Sequence, residues 1–175
     1  MRVRLRSEAG FGLIELLMAM VMLNIGILAI VAAFNSSMFA LNRASKISTA
    51  SAIADSQMEL YRALTYNAIA LDSATLASVD NTYKCDTALG SSCPNSTGGE
   101  VTTTCSGSPL PNECLPSRSV VGADRKNYRV DSYITTSTPT GGRSLKVVTV
   151  VVRDARNLSA RPLARLASTF DQSTG

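Results

Sequence analysis

Three patterns of hydrophobic and polar positions follow one another along this chain, and each predicts a different kind of element. Residues 10–34, GFGLIELLMAMVMLNIGILAIVAAF, form a nearly unbroken apolar run in which Glu15 is the only charge. Residues 16–34 carry none and are long enough for a membrane span of roughly 20 residues. Residues 35–71 then contain neither Gly nor Pro, and Leu41, Ala44, Ile47, Ala50, Ala54, Met58, Tyr61 and Leu64 recur at helical spacing. Arg43, Lys46, Asp55, Glu59 and Arg62 supply a solvated side. The two segments together predict one continuous helix over residues 11–71, about 90 Å long at about 1.5 Å per residue. A soluble coiled-coil stalk is the competing reading, but no heptad is sustained.

The third pattern is strand-like. Residues 72–118 are dense in Ser, Thr, Gly, Asn and Pro and predict a loop-rich region. Within residues 119–175, alternating or continuous β-branched stretches predict strands at 128–135, 145–152 and 163–170, with a turn over 139–142. The run at 147–152 is the strongest of these. Short connections favour an antiparallel meander, and a sheet with one apolar face needs a cover, which the amphipathic half of the helix can supply. The predicted fold class is therefore α+β: a long N-terminal helix, membrane-spanning in its first half, on a small antiparallel sheet. Of 175 residues, roughly 100 are left for one exported domain.

Charge sets the orientation. Arg2, Arg4 and Arg6 precede the apolar run and the next base is Arg43, which places the N-terminus on the cytoplasmic side and residues beyond about 35 outside. A cleaved secretory signal ending at Ala33 is the alternative, although such apolar regions usually run only about 7–15 residues. Glu15 stands out because an acid inside a span costs about 2.5–3.5 kcal/mol on insertion scales. It requires a partner, or else a place where it snorkels to the headgroups. Asn24 and Gly26 also interrupt the run; a polar amide can bond across helices and a small residue permits close approach, or both are ordinary span residues.

Cys85, Cys93, Cys105 and Cys114 all fall on the exported side, which favours disulfides. Of the three pairings that four cysteines allow, Cys85 with Cys93 and Cys105 with Cys114 are favoured, since each closes a short loop containing turn residues. A zinc site is the rival, but CxxC spacing is missing and the chain has no His.

A short basic leader ending in Gly10, then Phe11, then an apolar helix with Glu15 at the fifth position after the junction resembles the class III signal of type IV prepilins and type II secretion pseudopilins. The resemblance implies cleavage between Gly10 and Phe11 by a membrane-embedded prepilin peptidase, removal of the leader 1–10, and N-methylation of Phe11. It implies an inner-membrane, single-pass precursor that enters an extracytoplasmic filament. Its partners would be other pilins or pseudopilins, the inner-membrane assembly platform, and the ATPase acting on that platform. Glu15 would then be the assembly residue, its carboxylate neutralised by the cationic terminal amine of a neighbouring subunit's Phe11. The helix-breaking proline that many pilins carry late in the span is missing here, since the first proline is Pro94. The short, disulfide-containing domain is most similar to a minor pilin of the pilus-modification (PilV) type; the alternatives are a minor pseudopilin of type II secretion and a single-span exported adhesin or binding module.

Acids and bases are segregated in the exported part. Residues 72–117 hold Asp72, Asp80, Asp86, Glu100 and Glu113 against Lys84. Residues 118–165 hold Arg118, Arg125, Lys126, Arg129, Arg143, Lys146, Arg153, Arg156, Arg161 and Arg165 against Asp124, Asp131 and Asp154. A basic sheet region could meet nucleic acid, an acidic patch on a neighbour, or only solvent. No base-reading motif or aromatic-basic interleaving supports nucleic acid. Without His, the commonest general base and any Ser-His or Cys-His nucleophile are excluded. No cofactor-binding or catalytic residue is assigned, and the expected role is structural rather than enzymatic.

Overall fold

The structure, a computed structural model, describes residues 12–90, 93–94 and 99–174. The chain divides into two units, Met1–Arg43 and Ala44–Gly175, and helix α1, Leu13–Arg62, contributes to both.

In the first unit, every described residue is helical except Gly12, and every one is exposed. The helix satisfies its own polar interruptions: Asn24 Nδ2 donates to the Met20 carbonyl at 2.9 Å, and Ser37 Oγ donates to the Ala33 carbonyl at 2.9 Å. A methyl group added at Gly26 would meet nothing within 4 Å, and the helix passes through that position without a break.

In the second unit, α1 buries Ala50, Ala54, Gln57, Met58 and Tyr61, a stripe at helical spacing. The expected stripe is longer than the observed one, because Ile47 remains 40% exposed and Ala44 is exposed. The helix also stops at Arg62, short of the expected Leu71. Thr65 is extended (φ −67°, ψ 153°), which breaks the helical path; beyond it Tyr66–Ala68 makes a 3-10 turn, and Lys146 Nζ donates to the carbonyls of Tyr66 (2.7 Å) and Ile69 (2.8 Å), which holds that segment in place. Leu71 instead enters a two-residue strand.

That strand, β1 (Leu71–Asp72), pairs in parallel with β2 (Thr102–Thr103). Between them the chain is more regular than a loop-rich composition suggests. Asp72 caps α2 (Ser73–Ala77), Asp80 caps α3 (Asn81–Lys84), and Asp86 caps a single 3-10 turn, Thr87–Leu89. Each carboxylate accepts from a backbone N–H two or three residues on, the usual reward of Asp at a helix start. The cysteines pair as favoured, Cys85 with Cys93 and Cys105 with Cys114.

The main sheet is antiparallel in the order β3 (Ser117–Val121), β4 (Asn127–Ser137), β5 (Leu145–Asp154), β6 (Ala164–Phe170). The meander over the last three strands is as expected, with the turn closed by Gly142 N–H donating to the Pro139 carbonyl and Gly141 at φ 76°. Strand β3 is additional; its Ser-Arg-Ser start masks the alternation. Register assigns the faces, because residues opposite one another share a face. Val130 faces Val152, and Ile134 faces Val148. These lie on the α1 side, where Gln57, Tyr61 and Lys46 reach Arg118, Ser132 and Asp154. Gly122, after β3, sits where any side chain would collide with Thr49 and Tyr128, so its lack of one lets the helix approach. On the opposite face stand Arg129, Asp131, Tyr133, Val151, Arg153 and Arg165, under α3 and the turn at Asp86.

Candidate functional site

The first candidate is the exposed apolar length of α1. Leu13 is 78% exposed, and Leu16, Leu17, Met18, Val21, Leu23, Ile27, Leu28, Ile30 and Phe34 are all at least half exposed. A helix that is apolar all round and unburied has no solution in water. It is long and apolar enough to cross a membrane. Glu15 lies in its first turn, where an acid complements the helix dipole. The Glu15 N–H donates to the Gly12 carbonyl at 3.0 Å. Gly10 and Phe11, the expected cleavage junction and methylation site, lie outside the described residues.

The second candidate is the polar face of the sheet. Arg129 forks to Asp80 (2.5 and 2.7 Å) and reaches Asp131 with Nε at 2.7 Å. Arg153 binds Asp86 and stands 3.5 Å from Asp131, while Arg165 closes on Asp86 at 2.6 Å. Asp131 is fully buried, and burial raises its pKa against the pull of Arg129. The Arg129 hydrogen bonds hold Asp80 well below the usual range, at about 2. Tyr83 stacks on Tyr133, centroids 4.3 Å apart, and its hydroxyl lies against both Glu100 and the Ser132 carbonyl. Burial pushes Glu100 up to about 7.

These contacts explain the charge segregation. Asp80 and Asp86 of the acidic segment are the partners of Arg129, Arg153 and Arg165 on the basic strands. Lys46, Asp124 and the two carbonyls on Lys146 account for further charges. Lys126, Arg129, Arg153 and Arg165 thus meet carboxylates and Lys146 meets two carbonyls, so about half of the basic count of the sheet region is spent within the chain. Sequence reasoning missed this clamp, although the signal was present in Asp80 and Asp86, each opening a short helical turn. Chemically the arrangement is a set of paired charges that fixes a loop to a sheet. Among the described residues no three His, Cys, Asp or Glu side chains are grouped to hold a metal ion, and all four cysteines are in disulfides.

Comparison with family models, with curated proteins and with solved structures finds no match to this chain. What is established is the architecture: a small α+β chain with one apolar helix of membrane length and a disulfide-linked domain.

Proposed function

We propose that this chain is a structural subunit, a minor pilin, of a type IV pilus or a closely related envelope filament, and that it is not an enzyme. The observation that carries the reading is the stretch of α1 at residues 13–34, predominantly apolar and exposed throughout, with a single carboxylate in its first turn. Lipid covers that surface before assembly; neighbouring helices cover it afterwards. A carboxylate in such a bundle is tolerated when a cation meets it, and the amine freed at Phe11 by cleavage after Gly10 is the cation the leader pattern provides. Prepilin peptidase, the inner-membrane platform and other pilins are the partners this requires.

The test compares Glu15→Ala and Glu15→Gln with wild type by the fraction of subunit recovered in sheared filaments against that left in the inner membrane. Both variants are expected to insert and to be cut at Phe11, by intact mass, yet to be depleted from filaments. Incorporation equal to wild type in both variants would reduce Glu15 to a snorkelling acid. A mature chain starting at Phe34 would replace the reading with ordinary secretion.

A further inference from the structure

We propose that the open edge of β3, with the groove between it and α1, binds an extended segment of a partner polypeptide that carries a carboxylate side chain. Three observations meet there. Among the described residues the ladder parity leaves the edge unpaired: Ser132 N–H donates to Pro116 O and Gly122 N–H to Lys126 O, so Pro116, Arg118, Val120 and Gly122 bond to β4. The N–H and C=O groups of Ser119 and Val121 therefore point outward, an available template for an added strand.

Beside this edge runs a groove of about 390 Å³, lined on the helix by Ser48, Thr49, Ala52 and Ile53 and on the strand by Val120 and Val121. Val121 is 67% exposed. Arg118 lines the same groove and is half-buried, yet among the described residues its side chain's only hydrogen-bond acceptor is the neutral Gln57 Oε1, at 3.1 and 2.7 Å. Arg129 and Arg153 each have two carboxylates; among the described residues Arg118 has none within ion-pair distance. A desolvated guanidinium without a counter-charge is a strong recognition point for a carboxylate.

Register gives the partner its pattern. Arg118 and Val120 share the helix-side face, so an added strand should place an acid opposite Arg118 and an apolar residue two positions away, opposite Val120. A second copy of β3 fits poorly. Antiparallel self-pairing about Ser119 would bring the two Arg118 side chains onto one face as diagonal neighbours about 7–8 Å apart, and like charges repel.

The experiment uses the intact chain in nonionic detergent micelles and fluorescently labelled, end-blocked peptides read by anisotropy. TVTETVT satisfies the pattern in either strand direction; TVTKTVT reverses the charge, and TVPEPVT removes edge N–H donors. Saturable binding of the first is expected, weakened about tenfold or more in each of the others. Arg118→Gln should erase the preference for Glu over Lys. Ser119→Pro, which removes an outward N–H and no bond to β4, should weaken TVTETVT similarly while leaving the circular dichroism and thermal transition in place. Equal affinity for the Glu and Lys peptides, or no saturable binding at millimolar peptide, overturns the proposal even if Arg118→Gln fails to fold. Dimerisation of the wild-type chain that Ser119→Pro abolishes would assign the edge to a second copy, and also overturns it. Filament entry through α1 is measured separately, so either reading can fail alone.

Discussion

On the α1 side the sheet presents Val130, Ile134, Val148, Val150 and Val152; on the other side the same strands present Arg129, Asp131, Arg153 and Arg165. Both faces are closed, since Val150 and Asp131 alike are fully buried. The first cover is a single helix held mainly by non-directional apolar contact, which tolerates adjustment, with Lys46 on Asp154 and Arg118 on Gln57 as its directional ties to the sheet. The second is a winding, disulfide-linked segment held by directional charge pairs, which fix its position and leave buried charges exposed to loss of a partner. A short segment with little apolar content can thus cover a sheet, provided its acids fall where the strands place bases.

The comparison breaks most visibly at Asp86, which accepts from Arg153, Arg165 and the Ala88 N–H. Asp86→Ala should cost about 3–5 kcal/mol, because Arg153 stays buried with only the more distant Asp131, at 3.5 Å, to balance it. Exchanging both, Asp86→Leu with Arg153→Met, should recover most of that loss. Urea unfolding of the detergent-solubilised chain, followed by fluorescence of the buried tyrosines, measures both; equal losses in the single and double variants would show that the ion pair is not the cause. On the apolar face Met58→Ala should cost about 2–4 kcal/mol through a cavity under α1. That loss should be insensitive to salt.

Glu100 sharpens the comparison through pH. Its folded pKa of about 7 lies above the ordinary 4.5, so the folded domain holds the proton more tightly than the unfolded chain. The resulting stability is complete below about 4.5 and is lost as pH rises through about 7. Glu100→Gln should therefore flatten the decline between pH 5 and pH 8, with a gain on the order of 2–3 kcal/mol at pH 8. A decline of unchanged slope in the variant would assign it to another group. The smallest effect belongs to Asp80, whose side chain is 49% exposed. Its depressed pKa contributes stability above the ordinary 3.8 that disappears as pH falls through about 2, and Asp80→Asn should cost no more than about 1 kcal/mol near neutrality. Raising the salt concentration should shrink even that difference between variant and wild type.

The apolar cover was more legible in sequence than the ionic one. Ala50, Ala54, Met58 and Tyr61 announce their face by spacing, and the β-branched run at 147–152 could hardly be anything but an interior strand. The end of the helix was hidden, because Lys146, which holds the carbonyls of Tyr66 and Ile69 in the segment that follows, lies far along the chain from them. Strand β3 was hidden by Ser117, Arg118 and Ser119, whose pairing depends on β4 rather than on their own propensity. The separation of acids from bases was visible, but its meaning was not: counting charges along a chain cannot tell an external partner from an internal one. At the candidate site Glu15 was conspicuous by hydropathy alone, whereas Arg118 emerges only once Arg129 and Arg153 are seen to be paired with carboxylates.

Gln57 and Tyr61 donate from the buried side of α1 to the carbonyls of Asn112 and Glu113, within the ring closed by Cys105 and Cys114. Tension applied along α1 would enter that covalent ring sideways, loading several bonds at once in shear instead of peeling them in turn. The Cys105–Cys114 link then limits how far the ring can deform, so a pulled helix would meet a covalent stop in addition to its direct ties to the sheet, Lys46 on Asp154 and Gln57 on Arg118.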